Sequence, residues 1–584
     1  MPEKLHNKPL AAIFTDMAAI YRYLGDRFRA IAYQKAARMI SGLTEDVQSY
    51  IRNETLQELP GIGESIAEKI TEFVASGKVK QYEELKKKVP HGIMDMMDIR
   101  GFGPKSLQKI HRTLKVENKE DLVRALQEGK VAKLKGFGAK KVEGMLRGLK
   151  LHKTVEERML LWDALEAGRE ILAWLRQLPE VKQAELAGSL RRKKDTIGDI
   201  DVLVACEKKF RRKIVAHFTS PQFASQVTAK GETRAAIIHA ASGKQADLRL
   251  VDEDEWGSAL LYFTGSKEHN IHLRTIGKEK GYKINEYGLF VTKSEKRIAG
   301  KTEEELYGKL GLSYIPPEMR ENAGEIELAA RHKIPALVSM NDIRGDLQLH
   351  STWSDGLSSI EEIAQYVAAN FNYEYIVVTD HSRSSRIAHG LDEKDLLKQV
   401  KEIAAINRKL GRNFIKTGIE VDILRNGQLD FSDEILEQLD WVTAAIHNNF
   451  SADNTDRLIR ACEHPLVRCI GHPTGRLIGK REAYKADMNE VIRAAKQTGT
   501  ALEINAQPDR MDLNDQLAKQ AREQGVKLVI STDSHQLSQF GFMEPGVAIA
   551  RRAWCTPDDI LNTRSWEELK RLTRKKSKKE LVQQ

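Results

Sequence analysis

Three aspartates carry the first chemistry in this chain. Asp199 and Asp201 stand two residues apart at the head of the apolar run Val202-Leu203-Val204, and Asp247 lies in a second strand-like run, Ala246-Asp247-Leu248-Arg249-Leu250. Strand side chains alternate faces, so Asp199 and Asp201 point the same way. Carboxylates aimed at one point repel unless a cation sits between them, and Mg2+ or Mn2+ binds through carboxylates plus phosphate oxygens. Three such groups on neighbouring strands could hold two ions roughly 3.5–4 Å apart, as two-metal phosphoryl transfer requires. Upstream, Gly188-Ser189 and the basic run Arg191-Arg192-Lys193-Lys194 offer backbone N–H groups and charge to a triphosphate. Gly188 to Asp201 therefore reads as a metal-dependent site for phosphoryl or nucleotidyl transfer.

A second donor set lies beyond residue 343. Seven strand-like segments, at 345–350, 376–381, 414–420, 441–447, 467–472, 501–505 and 528–535, carry potential ligands at or near their ends, and six of them end in His or Glu. Functional groups gather at the C-terminal strand ends of a parallel α/β barrel. His350, Asp355, His381, Glu420, His447, His472, Asp533 and His535 would then converge on one mouth. A lone strand-end histidine is an ordinary structural residue, but several at matching ends are not. Mixed imidazole and carboxylate donors suit Zn2+, Mn2+ or Fe2+ better than Mg2+. His389, His464 and Asp380 are weaker candidates, Asp380 as an orienting group behind a ligand. Cys469 reads as a buried thiol.

The elements that must position these groups change along the chain. Residues 1–150 read as helical, with three short turns: Gly61-Ile62-Gly63, Gly101-Phe102-Gly103 and Gly136-Phe137-Gly138. Lysines follow each turn, Lys69, then Lys105 and Lys109, then Lys140 and Lys141. Glycines let the backbone approach a phosphate, and the next helix presents its N–H groups. This helix-hairpin-helix pattern is a sequence-independent grip on DNA. Residues 151–318 mix strands and helices, a polar helical connector follows, and strands and helices alternate from 343 onward. The net charge of +10 favours a polyanionic partner, and residues 101–150 hold thirteen Lys/Arg against five Asp/Glu. The four cysteines form no CxxC pair. No apolar run reaches membrane-spanning length, so a cytoplasmic, nucleoid-associated protein without a membrane partner is expected. A monomer is the favoured state, although the sequence carries no signal for it.

Residues 1–318 resemble the family X DNA polymerases, the group that includes polymerase beta. The matching stretches are Gly188-Ser189 with Asp199-Ile200-Asp201, Asp247, Tyr262-Phe263-Thr264-Gly265-Ser266 and Lys283-Ile284-Asn285-Glu286-Tyr287. The resemblance implies Mg2+ or Mn2+ on Asp199, Asp201 and Asp247, with Asp247 nearest the primer 3′-hydroxyl. It places Gly188, Ser189, Arg192 and Gly198 at the incoming dNTP. Tyr262, Phe263 and Gly265 would face the sugar, while Asn270 and Arg274 would touch the nascent pair and template. Gly61, Gly63 and Lys69 would hold the 5′-phosphate of gapped or nicked DNA, and the later hairpins would grip its backbone. Lys69 matches the family's Schiff-base lysine, but Ser65 and Phe28 depart from the animal pattern, and Gln245 stands where polymerase beta carries arginine.

Residues 343–570 resemble the polymerase-and-histidinol-phosphatase (PHP) domain, a distorted, TIM-like barrel whose family holds metals for phosphoester hydrolysis. Two to three Mn2+ or Zn2+ ions are implied, with Gln348 a departure from the usual His-x-His. The expected architecture is multidomain: a 5′-phosphate-binding helical domain (1–90), a helix-hairpin-helix subdomain (91–150), an α+β nucleotidyltransferase palm (151–260), a nucleotide-binding subdomain (261–318), a linker (319–342), a seven-stranded PHP barrel (343–573) and a basic tail (574–584). The expected function is gap-filling DNA synthesis in repair, coupled to 3′–5′ exonuclease action, with AP endonuclease or 3′-phosphatase action as further reactions. Two alternatives are a template-independent nucleotidyltransferase joined to a small-molecule phosphoesterase, and a DNA-end-binding scaffold with a degenerate PHP site.

Overall fold

The computed structural model describes residues 6–43, 46–59, 61–89, 104–138, 141–143, 145–146 and 158–573. Gly101, Gly103, Lys140 and the tail 574–584 lie outside the described residues, as does the side chain of Lys105. Among the described residues no helix is long and apolar enough to cross a membrane.

The N-terminal region is helical. Helix Asn7–Leu24 ends where Gly25 takes φ +93°, and Asp26 caps helix Arg27–Gly42 by accepting from Arg29 N. Leu10, Phe14, Met17 and Ile20 recur at helical spacing and are fully buried. Leu107, Ile110, Leu122 and Leu126 belong to the same core, so the hairpin regions share one apolar centre.

The palm follows. Its strands are β1 (Met159–Leu160), β2 (Gln183–Leu186), β3 (Thr196–Ile197), β4 (Ile200–Ala205), β5 (Ala224–Lys230), β6 (Arg234–His239) and β7 (Gln245–Val251). β1 pairs with β3, and the others form a sheet ordered β2-β4-β7-β6-β5 in which β4 and β7 run parallel. The edge strand β5 escapes sequence reading because five of its seven side chains are exposed, leaving no apolar alternation. A small antiparallel sheet of β8 (Tyr282–Asn285), β9 (Gly288–Val291) and β10 (Arg297–Ala299) has its own core around Leu306, Tyr307 and Ile315, with Trp554 of the C-terminal half packed into it.

Residues 319–342, the expected linker, pack in part against the small sheet. Helix Glu325–Ala330 is short, and Met319, Arg320, Glu325 and Ile326 are buried. The Arg320 guanidinium lies over the rings of Tyr307 and Tyr314 and donates to Glu303 at 2.5 Å. A buried cation needs such partners, and they tie the connector to the small sheet.

The C-terminal half is a parallel barrel of β11 (Gly345–Leu349), β12 (Tyr375–Val378), β13 (Ile415–Asp422), β14 (Trp441–Ala445), β15 (Cys469–Ile470), β16 (Ala501–Asn505) and β17 (Leu528–Ser531), joined in chain order. β11 meets β17: His350 N donates to Ser534 O at 2.8 Å, and Asp533 N to Gln348 O at 3.1 Å. Nearly every strand residue is buried, as expected when helices cover a parallel sheet. Buried Cys469 packs with Trp441, Ala501 and Trp566, in keeping with a structural thiol. Palm and barrel share one continuous apolar core, and the Trp162 and Phe542 rings meet edge-on at 5.1 Å across their boundary.

Candidate active sites

Parallel pairing of β4 and β7 sets Asp201 directly opposite Asp247, with Asp199 one residue before β4. The turn above them is tight. Gly188 has φ +57°, and a Cβ there would lie 2.0 Å from Asp201 Oδ2, so only glycine brings the turn onto the carboxylate. Residues Gly188–Arg191 then form a single helical turn. Burial, followed by repulsion from Asp199 and Asp247, pushes the Asp201 carboxyl up to about 7, against the pull of Arg249 and Arg192. Gln245 Nε2 donates to Asp247 Oδ2 at 2.6 Å, and Arg234 of β6 places its guanidinium 3.8 Å from Oδ1. The amide therefore anchors Asp247 where an arginine was the family expectation, and the nearby positive charge comes from the neighbouring strand.

The other expected nucleotide-site groups sit on two helices, Trp256–Thr264 and Lys267–Glu279, joined through Gly265 at φ +70°. A Cβ on Gly265 would come 3.1 Å from an Arg192 terminal nitrogen. Arg192 donates to the Thr264 carbonyl at 2.5 Å. Tyr262 and Phe263 meet edge-on at 5.2 Å, and the Arg249 guanidinium lies 5.2 Å from the Phe263 ring centre. Asn270 Nδ2 donates to the Tyr262 carbonyl at 2.8 Å, and Arg274 Nε to the Asn270 carbonyl at 3.3 Å. Ser189 and Gly198 flank the same turn, both partly exposed.

In the hairpins, Gly61 at φ +82° and Gly63 lead into helix Glu64–Ser76. Lys69 is half-buried on that helix, its Nζ donating to the Ser65 carbonyl at 2.7 Å and to Ser65 Oγ at 2.9 Å. Gly136 takes φ +89°, Lys109 Nζ donates to the Lys135 carbonyl at 2.5 Å, and Lys141 Nζ lies 4.1 Å from the Phe137 ring centre. The lysine ends thus gather on the Lys135–Gly138 turn.

The barrel brings all eight predicted donors together. Glu420 is central and buried: Oε1 lies 2.9 Å from His472 Nε2 and 3.4 Å from His447 Nε2, and Oε2 lies 3.0 Å from His381 Nδ1 and 3.6 Å from His350 Nε2. Asp533 Oδ1 is 2.9 Å from His350 Nε2. Asp355 Oδ1 is 3.6 Å from His381 Nε2 and 3.3 Å from His535 Nε2. The donor atoms fall into three overlapping groups close enough for metal binding: His350, Asp355, His381 and His535; His381, Glu420 and His447; and His350, Glu420 and Asp533. Burial disfavours charged imidazole, yet Asp533, Glu420 and Asp355 push His350 up to about 9, and Glu420 and Asp422 push His447 up to about 10. The carboxylates thus favour positive charge on these imidazoles, a charge that a divalent cation at the same donors would supply instead. His350 Nδ1, His472 Nδ1 and Glu420 Oε2 are buried without a hydrogen-bond partner, and this nitrogen and oxygen set fits divalent metal. At the palm, three crowded carboxylates and the raised Asp201 fit a divalent cation as well.

The weaker candidates part company. Asp380 accepts from Ser351 N at 2.8 Å, Ser351 Oγ at 2.6 Å and Gln399 Nε2 at 2.6 Å, fixing the turn after His350. His464 pairs with Asp433 instead, and His389 stands outside the donor groups. Sequence reading passed over Asp422, whose Oδ1 lies 2.5 Å from His447 Nδ1; its spacing two residues after Glu420 on one strand was the available signal. It also passed over Glu503, fully buried with Oε1 unpartnered and its carboxyl pushed well above the usual range by burial and Asp533, and Arg510, whose Nε lies 3.8 Å from Asp533 Oδ2. Both amide atoms of Gln348 are buried without a hydrogen-bond partner.

Comparison with known proteins matches these parts. The DNA polymerase beta thumb family matches residues 259–321, a helix-hairpin-helix domain family matches 5–79, and a SAM-like helix-hairpin-helix tandem family matches 93–151. The DNA polymerase/3′–5′ exonuclease PolX of Bacillus subtilis (strain 168) is 36% identical over 572 residues, covering 97% of this chain and 99% of that protein. DNA polymerase lambda of Rattus norvegicus is 25% identical over 331 residues, 52% of this chain and 54% of that protein. A protein named probable phosphatase from Thermoanaerobacter sp. (strain X514) is 34% identical over 162 residues, 26% of this chain and 64% of its own length. An Asp201–Asp247 pair beneath a glycine turn, a histidine-rich barrel and likeness along nearly the whole length together show that the chain belongs to the family X DNA polymerases that carry a C-terminal PHP domain.

Proposed function

We propose that this chain is a DNA-directed DNA polymerase that fills short gaps in repair and trims 3′ ends with its barrel. The observation that carries the reading is the register of β4 and β7, which sets Asp201 against Asp247 under Gly188. Near-full-length likeness to a protein named polymerase and 3′–5′ exonuclease supports it. Asp199, Asp201 and Asp247 would hold Mg2+ or Mn2+. The eight barrel donors would hold two to three Mn2+ or Zn2+ ions. Divalent ions, when bound, neutralise phosphate charge and lower the pKa of an attacking hydroxyl or water.

The chain's own groups supply the rest. Gln245 keeps Asp247 oriented toward the primer end, and Ser189, Arg192 and Gly198 receive the triphosphate. Tyr262, Phe263 and Gly265 lie at the sugar, and Asn270 and Arg274 at the base pair and template. In the barrel, Asp422 holds His447 in one orientation. The hairpin at Gly61, Gly63 and Lys69 holds the 5′-phosphate of the gap, and those at Gly101, Gly103 and Lys105 and at Gly136 and Gly138 grip the DNA backbone, at the nucleoid of the cytoplasm. The domain limits given above are part of the same reading.

The test is a 5′-phosphorylated one-nucleotide gap incubated with dNTPs and Mg2+ or Mn2+, following extension and degradation together. Templated one-nucleotide extension with slower 3′ loss is expected. Extension that ignores the template base would favour a template-independent transferase, and DNA binding without either reaction would leave a scaffold.

A further inference from the structure

Five consecutive residues of the turn that carries Arg192 are held from outside the palm. Arg191 makes a two-pronged bond to Glu303 of the small-sheet region at 2.9 and 2.7 Å. Arg192 Nε donates to Glu321 Oε1 at 3.1 Å, and its carbonyl accepts from Arg552 of the barrel at 2.8 Å. Lys193 Nζ lies 3.4 Å from Glu544 of the barrel, and Lys194 Nζ 3.3 Å from Glu321. Asp195 accepts from Arg476 of the barrel at 3.3 Å. Arg552 is the deepest of these: its side chain is 4% exposed, it also donates to Glu321 Oε1 at 3.0 Å, and Asp515 seats it through bonds of 2.9 and 2.6 Å.

From this we infer that the barrel is a positioning element of the nucleotide site, with Asp515 and Arg552 fixing the turn that presents Arg192. The inference rests on the proposed polymerase reading for the role of Arg192. Arg552 sends Nε and Nη2 to one oxygen of half-buried Asp515, Oδ2, and Nη1 to Glu321, and a planar guanidinium held at all three nitrogens has one orientation, so it can hold the Arg192 carbonyl at a set place. The short turn itself has one helical loop and little core of its own. Neither Asp515 nor Arg552 touches the Asp199, Asp201 and Asp247 carboxylates or the barrel donors, so their action on the nucleotide is through Arg192.

The experiment titrates the correct dNTP onto the full-length chain bound to a dideoxy-terminated one-nucleotide gap in Mg2+, and measures gap extension and 3′ degradation separately. Arg552→Lys keeps the charge but loses the fork, and Asp515→Asn loosens the fork from a site remote from the turn. Each should weaken dNTP binding by roughly three- to thirtyfold, the scale of coupling through packed networks. Gapped-DNA affinity and 3′ degradation should stay within about twofold, which a general loss of stability would not spare. Unchanged dNTP binding in both variants overturns the inference, as does an equal loss of dNTP binding, DNA binding and degradation. A wild-type chain that binds dNTP but does not extend removes the polymerase reading while the variants still judge the brace. A wild-type chain that binds no dNTP removes both.

Discussion

The palm carboxylates and the barrel histidines handle charge in opposite ways. Asp199 is exposed, and the palm cluster has oxygen donors only, with Asp201 raised by its like-charged neighbours. In the barrel the three donor carboxylates Asp355, Glu420 and Asp533 face imidazoles, and Glu420 alone lies within 3.6 Å of four of them. The palm is a half-site: a triphosphate and a primer end must bring the remaining oxygens. The barrel brings nitrogen and oxygen donors of its own within reach of one another, without a contribution from substrate. One site thus lacks donors that a substrate could supply, and the other gathers its donors from the protein alone.

That contrast can be broken at several points. Asp247→Ala should lower nucleotide addition on the order of 10³-fold or more, since it removes a member of a unit, and leave 3′ degradation within about twofold; parallel primer-extension and degradation assays decide it, and joint loss would show that the sites are not independent. Glu420→Gln should do the reverse, cutting 3′ degradation about 10²-fold or more while extension persists, because it removes the group shared by four histidines. Metal analysis of the purified variant should show fewer bound ions, and full occupancy would contradict the cage. Burial opposes its charge, but Arg320 and Arg191 hold the Glu303 carboxyl down at about 2. A depressed carboxylate contributes stability above its ordinary pKa, near 4.5, and loses it as pH falls toward 2. That contribution is on the order of 3 kcal/mol, so acid titration of Glu303→Gln should show a flatter stability profile across that window, and a wild-type-like slope would reject it. Asp422→Asn should weaken barrel metal binding by about ten- to a hundredfold without changing dNTP binding, measured by competition with a chelator.

Much of this was legible in the chain. The Asp-x-Asp at a strand head and the histidines at strand ends follow from period-two alternation and from barrel geometry, and they landed together. The seven barrel strands read as apolar runs because both faces are covered. What stayed hidden depends on partners distant in sequence. Glu321 looks like any polar connector residue until Arg192 and Arg552 converge on it. Arg510 lies in an irregular turn with no periodicity, and Gln245 was marked only as a departure, its bond to Asp247 being a matter of side-chain reach. Glu503 sits mid-strand, where a charged residue gives no sign of which way its burial is compensated.

The closure of β11 onto β17 also has a meaning in time. His350 and Asp533, which face one another at that seam, stand 183 residues apart. A ribosome adding about 5–20 residues per second separates their synthesis by roughly 10–40 s. During that interval the nascent chain already carries most of the barrel's imidazoles with no cage to arrange them, while the palm sheet is finished. Completion of the donor set is therefore a late event in the birth of this protein, and a chain cut short before residue 528 lacks Asp533 and His535, on which two of the three donor groups depend.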